Sequence, residues 1–495
     1  MNVTTSLVVI GSYFLMLIII SWLSSRKATS ETFYTGDKSS SWYLVAFGMI
    51  GASLSGITFI SVPGTVLGSG MTYMSIVLGY FLGYMVIIYV LLPLYYKLNL
   101  TTIYSYLKER FGVSSYKTGA SFFLLSRVIG AALRLYLVAE VLDVFLFQAI
   151  GLPYWLGIVI TISLIWIYTF KGGIKTIIWT DTIQTAAMLL AVGITFYFIK
   201  NSFDFSWVEV FDKVKQSEYA KIVHWETKGW GNFVLGLING AFITIVMTGL
   251  DQDMMQKNLT CKTLGESQKN MFWFSIVLIP VNLFFLALGV LLYEYAIGEG
   301  YLQFITDEAG KSTFLLCDYS MHVETEITSD KLFPSIAAGN YFTPTLGIVF
   351  LVGLIAAAYS SADSALTSLT TCFCVDIIEK EKDTKTRMLV HVSISILLIL
   401  VVLLFKQINN DSIVWELFAW AGYTYGPLLG FYAFGLMTKI NIHDKLAPLV
   451  AIVCPIICVI LKENSVHLFN GYQLGFEILP INGTLTFLGL LMIRK

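Results

Sequence analysis

Gly51-Ala52-Ser53-Leu54-Ser55-Gly56 occupies the middle of an apolar run over 41–68 that continues through Pro63-Gly64. All but Leu54 are small or hydroxyl-bearing. At the midplane of a membrane helix such a stretch marks either close helix packing or an unwound turn whose freed carbonyls face a cation. Either reading presupposes lipid as the solvent, and the composition agrees. Of 495 residues, 56% are apolar and 13% charged, with a mean hydropathy of +0.75. Soluble chains carry roughly 25% charged residues. Length alone suggests about three soluble domains, but a span needs only about 20 residues, so one polytopic bundle fits better. The net charge of −1 excludes a nucleic-acid partner, which requires a basic surface. The six cysteines lack metal-site spacing and read as small core hydrophobes.

Working outward, apolar runs lie at 6–23, 41–68, 72–98, 115–148, 152–170, 176–198, 229–252, 271–297, 342–373, 384–406, 411–437, 444–462 and 475–493. They predict an all-α polytopic membrane protein with about thirteen transmembrane helices. The first run is a retained anchor, since no basic residue precedes it and Arg26-Lys27 follows. With the N-terminus outside, inner loops receive about twice as many Lys and Arg as outer ones, Lys257 being counted among the inner charges. That orientation puts the C-terminus inside. The segment Thr101 to Gly112 is amphipathic and too polar to span, which predicts a helix on the inner surface.

Ionisable residues within spans are costly and mark candidate sites. Setting aside Asp251 and Glu416 as close to span ends, they are Arg127, Arg134, Glu140, Asp143, Asp181 and Asp363. Arg127 and Arg134 are seven residues apart and share a helix face. They either pair with Glu140, Asp143 or helix-end carbonyls, or Arg134 offers its planar fork to an anionic solute. Asn239-Gly240, within 229–252, mirrors the first small-residue stretch. Two interrupted helices, each opening five spans, predict an inverted repeat with a binding site at its interface. Ala356-Ala357-Ala358-Tyr359-Ser360-Ser361-Ala362-Asp363-Ser364, continuing to Thr367, Ser368, Thr370 and Thr371, supplies hard oxygen donors suited to a small hard cation. The same hydroxyls can instead bond back to their own helix.

Three segments together resemble the sodium:solute symporter family of sodium/proline, sodium/glucose and sodium/sialic acid carriers. They are 356–364, Gly172-Gly173-Ile174 to Trp179-Thr180-Asp181 to Gln184, and Asp251-Gln252-Asp253 to Gln256-Lys257; the connector Ile103 to Gly112 is similar too. The resemblance spans nearly the whole chain. It implies a LeuT-like core of five plus five helices: an extra helix and inner loop over 1–40, a first repeat over 41–198, an outer loop over 199–228, a second repeat over 229–437, and two further helices over 438–495. It implies a sodium site from the carbonyls of Gly51, Leu54 and Ala357 and the hydroxyls of Ser360 and Ser361. Asp181 and Ser364 match a second cation position or its charge partner, whereas Asp363 departs from that pattern. Solute contacts fall on Ser53, Ser55, Thr58, Tyr80 and Thr244, and the arginine of sialic acid carriers falls near Gly130, one turn from Arg134.

The function expected is sodium-coupled import of a small organic solute (sugar, sugar acid, organic acid or amino acid) by alternating access, in a plasma membrane or bacterial inner membrane and without an obligate protein partner. A proton-coupled carrier using Asp181 is the alternative. An enzyme is not expected, because the five histidines lie in loops or near span ends. A membrane sensor would need a signalling domain, and the chain ends at Arg494-Lys495 directly after its last apolar run.

Overall fold

A helix lies under each of the thirteen apolar runs. The computed structural model describes residues 3–26, 29–225, 231–306, 312–318, 323–326, 329–338, 344–408 and 413–495. Among these, seven helices, or nine when each of two bent pairs counts as one span, are long and apolar enough to cross a membrane. The helices that carry the argument are α1 (Val3–Ser24), α2 (Trp42–Ser69), α3 (Tyr73–Val86), α4 (Ser105–Arg110), α5 (Val113–Leu142), α6 (Tyr154–Thr169), α7 (Ile174–Ser202), α8 (Trp207–Gln216), α9 (Phe233–Thr244), α10 (Gln252–Asn258) and α11 (Leu264–Gly298). After the segment that follows α11 come α12 (Ser329–Ala338), α13 (Pro344–Cys372), α14 (Thr384–Ile408), α15 (Ile413–Met437), α16 (Ala447–Glu463) and α17 (Ile478–Met492).

The protein is not purely helical. Between α11 and α12 lies an antiparallel meander of β1 (Leu302–Thr306), β2 (Ser312–Asp318) and β3 (Val323–Glu326), with Leu302 opposite Leu316 and Leu315 opposite Glu326. These runs are too short to span and too rich in β-branched and aromatic residues to favour a helix.

Three other expectations are corrected. The connector 101–112 turns its apolar face to protein, not lipid: Ile103, Tyr104 and Leu107 are fully buried while Lys108 and Glu109 stay exposed, and Arg110 donates to the carbonyls of Gly435, Thr438 and Ile440 at the end of α15. Its apolar face packs beneath other helices, which burial against protein satisfies as well as lipid does. Lys257 is not an inner-loop charge, being only 1% exposed within α10.

The third correction concerns the second break. α9 runs without interruption through Asn239-Gly240. There the small residues serve contact: a Cβ on Gly240 would lie 2.1 Å from the Ile76 carbonyl oxygen, and one on Gly79 would lie 2.2 Å from that of Leu237. The backbones of α3 and α9 meet at that crossing, as small residues allow. The chain bends instead at Leu250-Asp251, after a π turn over Ile245–Gly249, and α10 leaves at 68° to the preceding helix.

Candidate functional site

In α2 the break falls at Ser55, with φ 50° and ψ 176°. An α-helix bonds the carbonyl of residue i to the amide of i+4, so a turn of this shape releases carbonyls among 51–54. Gly51 and Gly48 let this half of α2 press against α7: a Cβ on Gly51 would meet Thr185 Oγ1 at 2.2 Å, and one on Gly48 would meet Asp181 Cβ at 3.0 Å. The Gly51 amide donates to Thr185 Oγ1 at 3.1 Å. On the other side of the break, the position of a Gly56 Cβ lies 3.7 Å from Ala358 Cα of α13. The break thus lies between α7 and the Ser-Ser segment of α13, and Gly51, Leu54, Ala357, Ser360 and Ser361 are all buried.

Ser360 Oγ donates to Asp181 Oδ1 at 2.7 Å, and Ser361 Oγ donates back to the Ala358 carbonyl at 3.0 Å. A hydroxyl that donates its hydrogen keeps its lone pairs for a cation, so both bonds are compatible with ligation. Freed carbonyls and hydroxyls are the oxygen donors that a sodium ion takes, and the residues present fit it. Ser364 Oγ and Thr367 Oγ1, further along α13, are buried without a hydrogen-bond partner among the described residues. Asp363 turns to α6, where Tyr168 Oη donates to its Oδ2 at 3.0 Å.

A cavity of about 80 Å³ opens beside the break and is room for several water-sized groups. Its lining includes all six residues named above for the solute: Ser53, Ser55, Thr58, Tyr80, Arg134 and Thr244. Tyr73 and Tyr80 join their hydroxyls at 3.0 Å along the same wall. The two arginines of α5 part company here. Arg127 pairs with Asp253 and lies 3.8 Å from Asp251, while Arg134 has no ion-pair partner among the described residues; the buried Nε of each is without a hydrogen-bond partner among them. Glu140 and Asp143 serve neither, because Glu140 pairs with Lys406 at 2.8 Å and Asp143 accepts from Gln148 at 2.9 Å.

The second break therefore holds functional residues that the sequence reading set aside. Asp251 caps α10, accepting from the amides of Asp253 at 2.9 Å and Met254 at 3.3 Å, and Tyr425 Oη donates to its other oxygen. Tyr95 and Tyr104 donate to the carbonyls of Gly249 and Leu250, at 2.8 and 3.0 Å, which would otherwise be orphaned at the bend. Gln252 accepts from the Ile103 amide at 2.9 Å, tying α10 to the connector 101–112. Lys257 reaches Asp181 Oδ2 at 2.6 Å. The signal was available: all seven residues from Asp251 to Lys257 are polar or sulfur-containing, with an acid at the first helical turn, where an N-cap is expected.

Two broken helices around a buried polar cavity define a membrane carrier. The profile of the sodium:solute symporter family matches residues 33–439, and the chain belongs to that family. The chain is 24% identical over 95% of its length to the sodium/sialic acid symporter NanT of Aliivibrio fischeri, covering 90% of that protein. It is 25% identical over 97% of its length to the sodium/sialic acid symporter SiaT of Proteus mirabilis, covering 94% of it. A solved Na+-coupled sialic acid symporter in a substrate-bound outward-open state superposes with a TM-score of 0.80 at 21% identity, over 99% of this chain and 98% of that one. The activity is sodium-coupled solute symport by alternating access, and sodium is the coupling ion.

Proposed function

We propose that the solute is a small carboxylate, a sugar acid in the first instance, gripped by Arg134 in the cavity beside the α2 break. The observation that carries this reading is Arg134, buried on a cavity lined with hydroxyls and without an ion-pair partner among the described residues. A guanidinium in that setting requires an anion, and a carboxylate fits its fork in bidentate fashion. The relatives named for sialic acid support the choice of a sugar acid. Ser53, Ser55, Thr58, Tyr80 and Thr244 would bond the solute's hydroxyls. Sodium would sit on the carbonyls of Gly51, Leu54 and Ala357 and the hydroxyls of Ser360 and Ser361. Bound there it would tie α2 to α13, two parts that must separate for release inside. The architecture we propose around this site is thirteen spans, N-terminus out and C-terminus in, with repeats over 41–198 and 229–437, in a bacterial inner membrane.

The test is solute binding to the purified protein, with and without sodium, using sialic acid and a neutral hexose. Sialic acid is expected to bind only with sodium, and Arg134→Lys is expected to abolish its binding while leaving the sodium-induced change in intrinsic fluorescence. A neutral hexose bound equally by the wild type and Arg134→Lys would overturn the reading.

A further inference from the structure

Asp181 stands beside the proposed sodium site, and both of its oxygens are already taken. Ser360 Oγ donates to Oδ1 at 2.7 Å, and Lys257 Nζ donates to Oδ2 at 2.6 Å. The three residues come from three different helices, α13, α10 and α7. All are buried, and Lys257 is 1% exposed although its side chain is among the most strongly hydrated of all. Nothing about packing requires a lysine there, since a methionine of similar length fills the same space without the cost of burying an ammonium. What the ammonium supplies is a positive charge, delivered to the carboxylate that accepts from Ser360 of the Ser-Ser segment. The oxygen donors continue along the same face of α13, where Ser364 and Thr367 follow Ser360 by four and seven residues and hold buried hydroxyls without partners among the described residues.

A carboxylate with a row of hydroxyls is the donor set of a hard cation. Here the chain brings its own cation. We infer that the Lys257 ammonium occupies the charge position at Asp181 that a second sodium would otherwise fill, so that each cycle carries one sodium. This inference deepens the proposed function and rests on sodium binding at the α2 break, but it concerns the number of ions and not their address. Two cations cannot share Asp181 cheaply in a medium of low dielectric, so the ammonium excludes a metal ion without blocking the site next to it.

The experiment counts radioactive sodium bound at saturation to the purified full-length protein in lipid. Wild type is expected to bind one ion per chain, Lys257→Met two, and Lys257→Met/Asp181→Asn one. The double variant leaves no buried charge unpaired, so it keeps the test open where Lys257→Met alone fails to fold. Two ions on the wild type, or one on a folded Lys257→Met, would overturn the inference. Ser361→Ala separates the two claims: an unchanged sodium affinity in that variant would move the address of the ion and leave the count standing.

Discussion

The two broken helices solve one problem in opposite ways. In α2 the backbone turns at Ser55 among small residues, which takes carbonyls among 51–54 out of the helix's own ladder. Between α9 and α10 the backbone bends by 68°, and side chains from elsewhere close around it: Tyr95 and Tyr104 on the carbonyls, Asp251 on the amides, and Arg127 on the acids. The α2 break is the one to which the proposed function assigns a ligand. A break already satisfied is a joint, and here it fixes the connector 101–112 and positions Lys257.

The strongest way to break this comparison is at the joint. Arg127→Ala leaves Asp253 buried without its partner, and loss of one member of a buried pair costs about 3–5 kcal/mol. Thermal unfolding in detergent should show a large drop, with part of it recovered in Arg127→Met/Asp253→Leu; a variant as stable as wild type would mean that the joint is not held by charge. Gly240→Ala comes next, at about 1–3 kcal/mol of overpacking, because the new methyl meets the Ile76 backbone and not a movable side chain. If that substitution is silent in the same assay, close helix contact is not the role of the small pair.

The open break is sharpened by smaller changes. Ser361→Ala removes one oxygen from the proposed sodium site, worth ~1.5 kcal/mol for a contact to a charge. Half-saturating sodium in proteoliposome uptake should therefore rise about tenfold while the unfolding temperature holds. The smallest effect is expected at Ser55. Its φ of 50° with ψ of 176° is a region that glycine occupies freely. Ser55→Gly relieves that strain but adds unfolded-chain entropy, for a net gain of about 1 kcal/mol or less. A marked loss of stability would show that the Ser55 side chain, and not the break, holds this turn.

Most of the fold was legible because lipid imposes a simple rule, and each apolar run did become a helix. The site was legible where chemistry is local. The small residues at 51–56 and the hydroxyls at 360–364 advertise themselves along the chain, and the named solute residues do line one cavity. It was obscure where meaning depends on a distant partner. Lys257 looks like a loop charge until Asp181 is found 2.6 Å away, 76 residues earlier in the chain. Asp251 looks like a span-end acid until α10 is seen to begin on it. Asn239-Gly240 carries the same residue types as the α2 break, yet its backbone faces Ile76 and Gly79 and needs no ligand. The β-strands were missed because a search for spans passes over any segment shorter than a bilayer.

With one sodium per cycle, as inferred above, and the singly charged solute proposed, the Lys257–Asp181 pair also sets how hard such a carrier can pull. The Lys257 ammonium and the Asp181 carboxylate cancel, so that pair adds no net charge to the empty protein as it returns. One sodium travelling with one singly charged solute adds none. Membrane voltage, which offers about 2.3 kcal/mol per charge for each 100 mV, then does no work on the cycle. Only the sodium concentration ratio drives it, and a tenfold ratio, about 1.4 kcal/mol, limits accumulation to about tenfold. A cell would keep importing through a collapse of its membrane potential and would stop when its sodium gradient ran down.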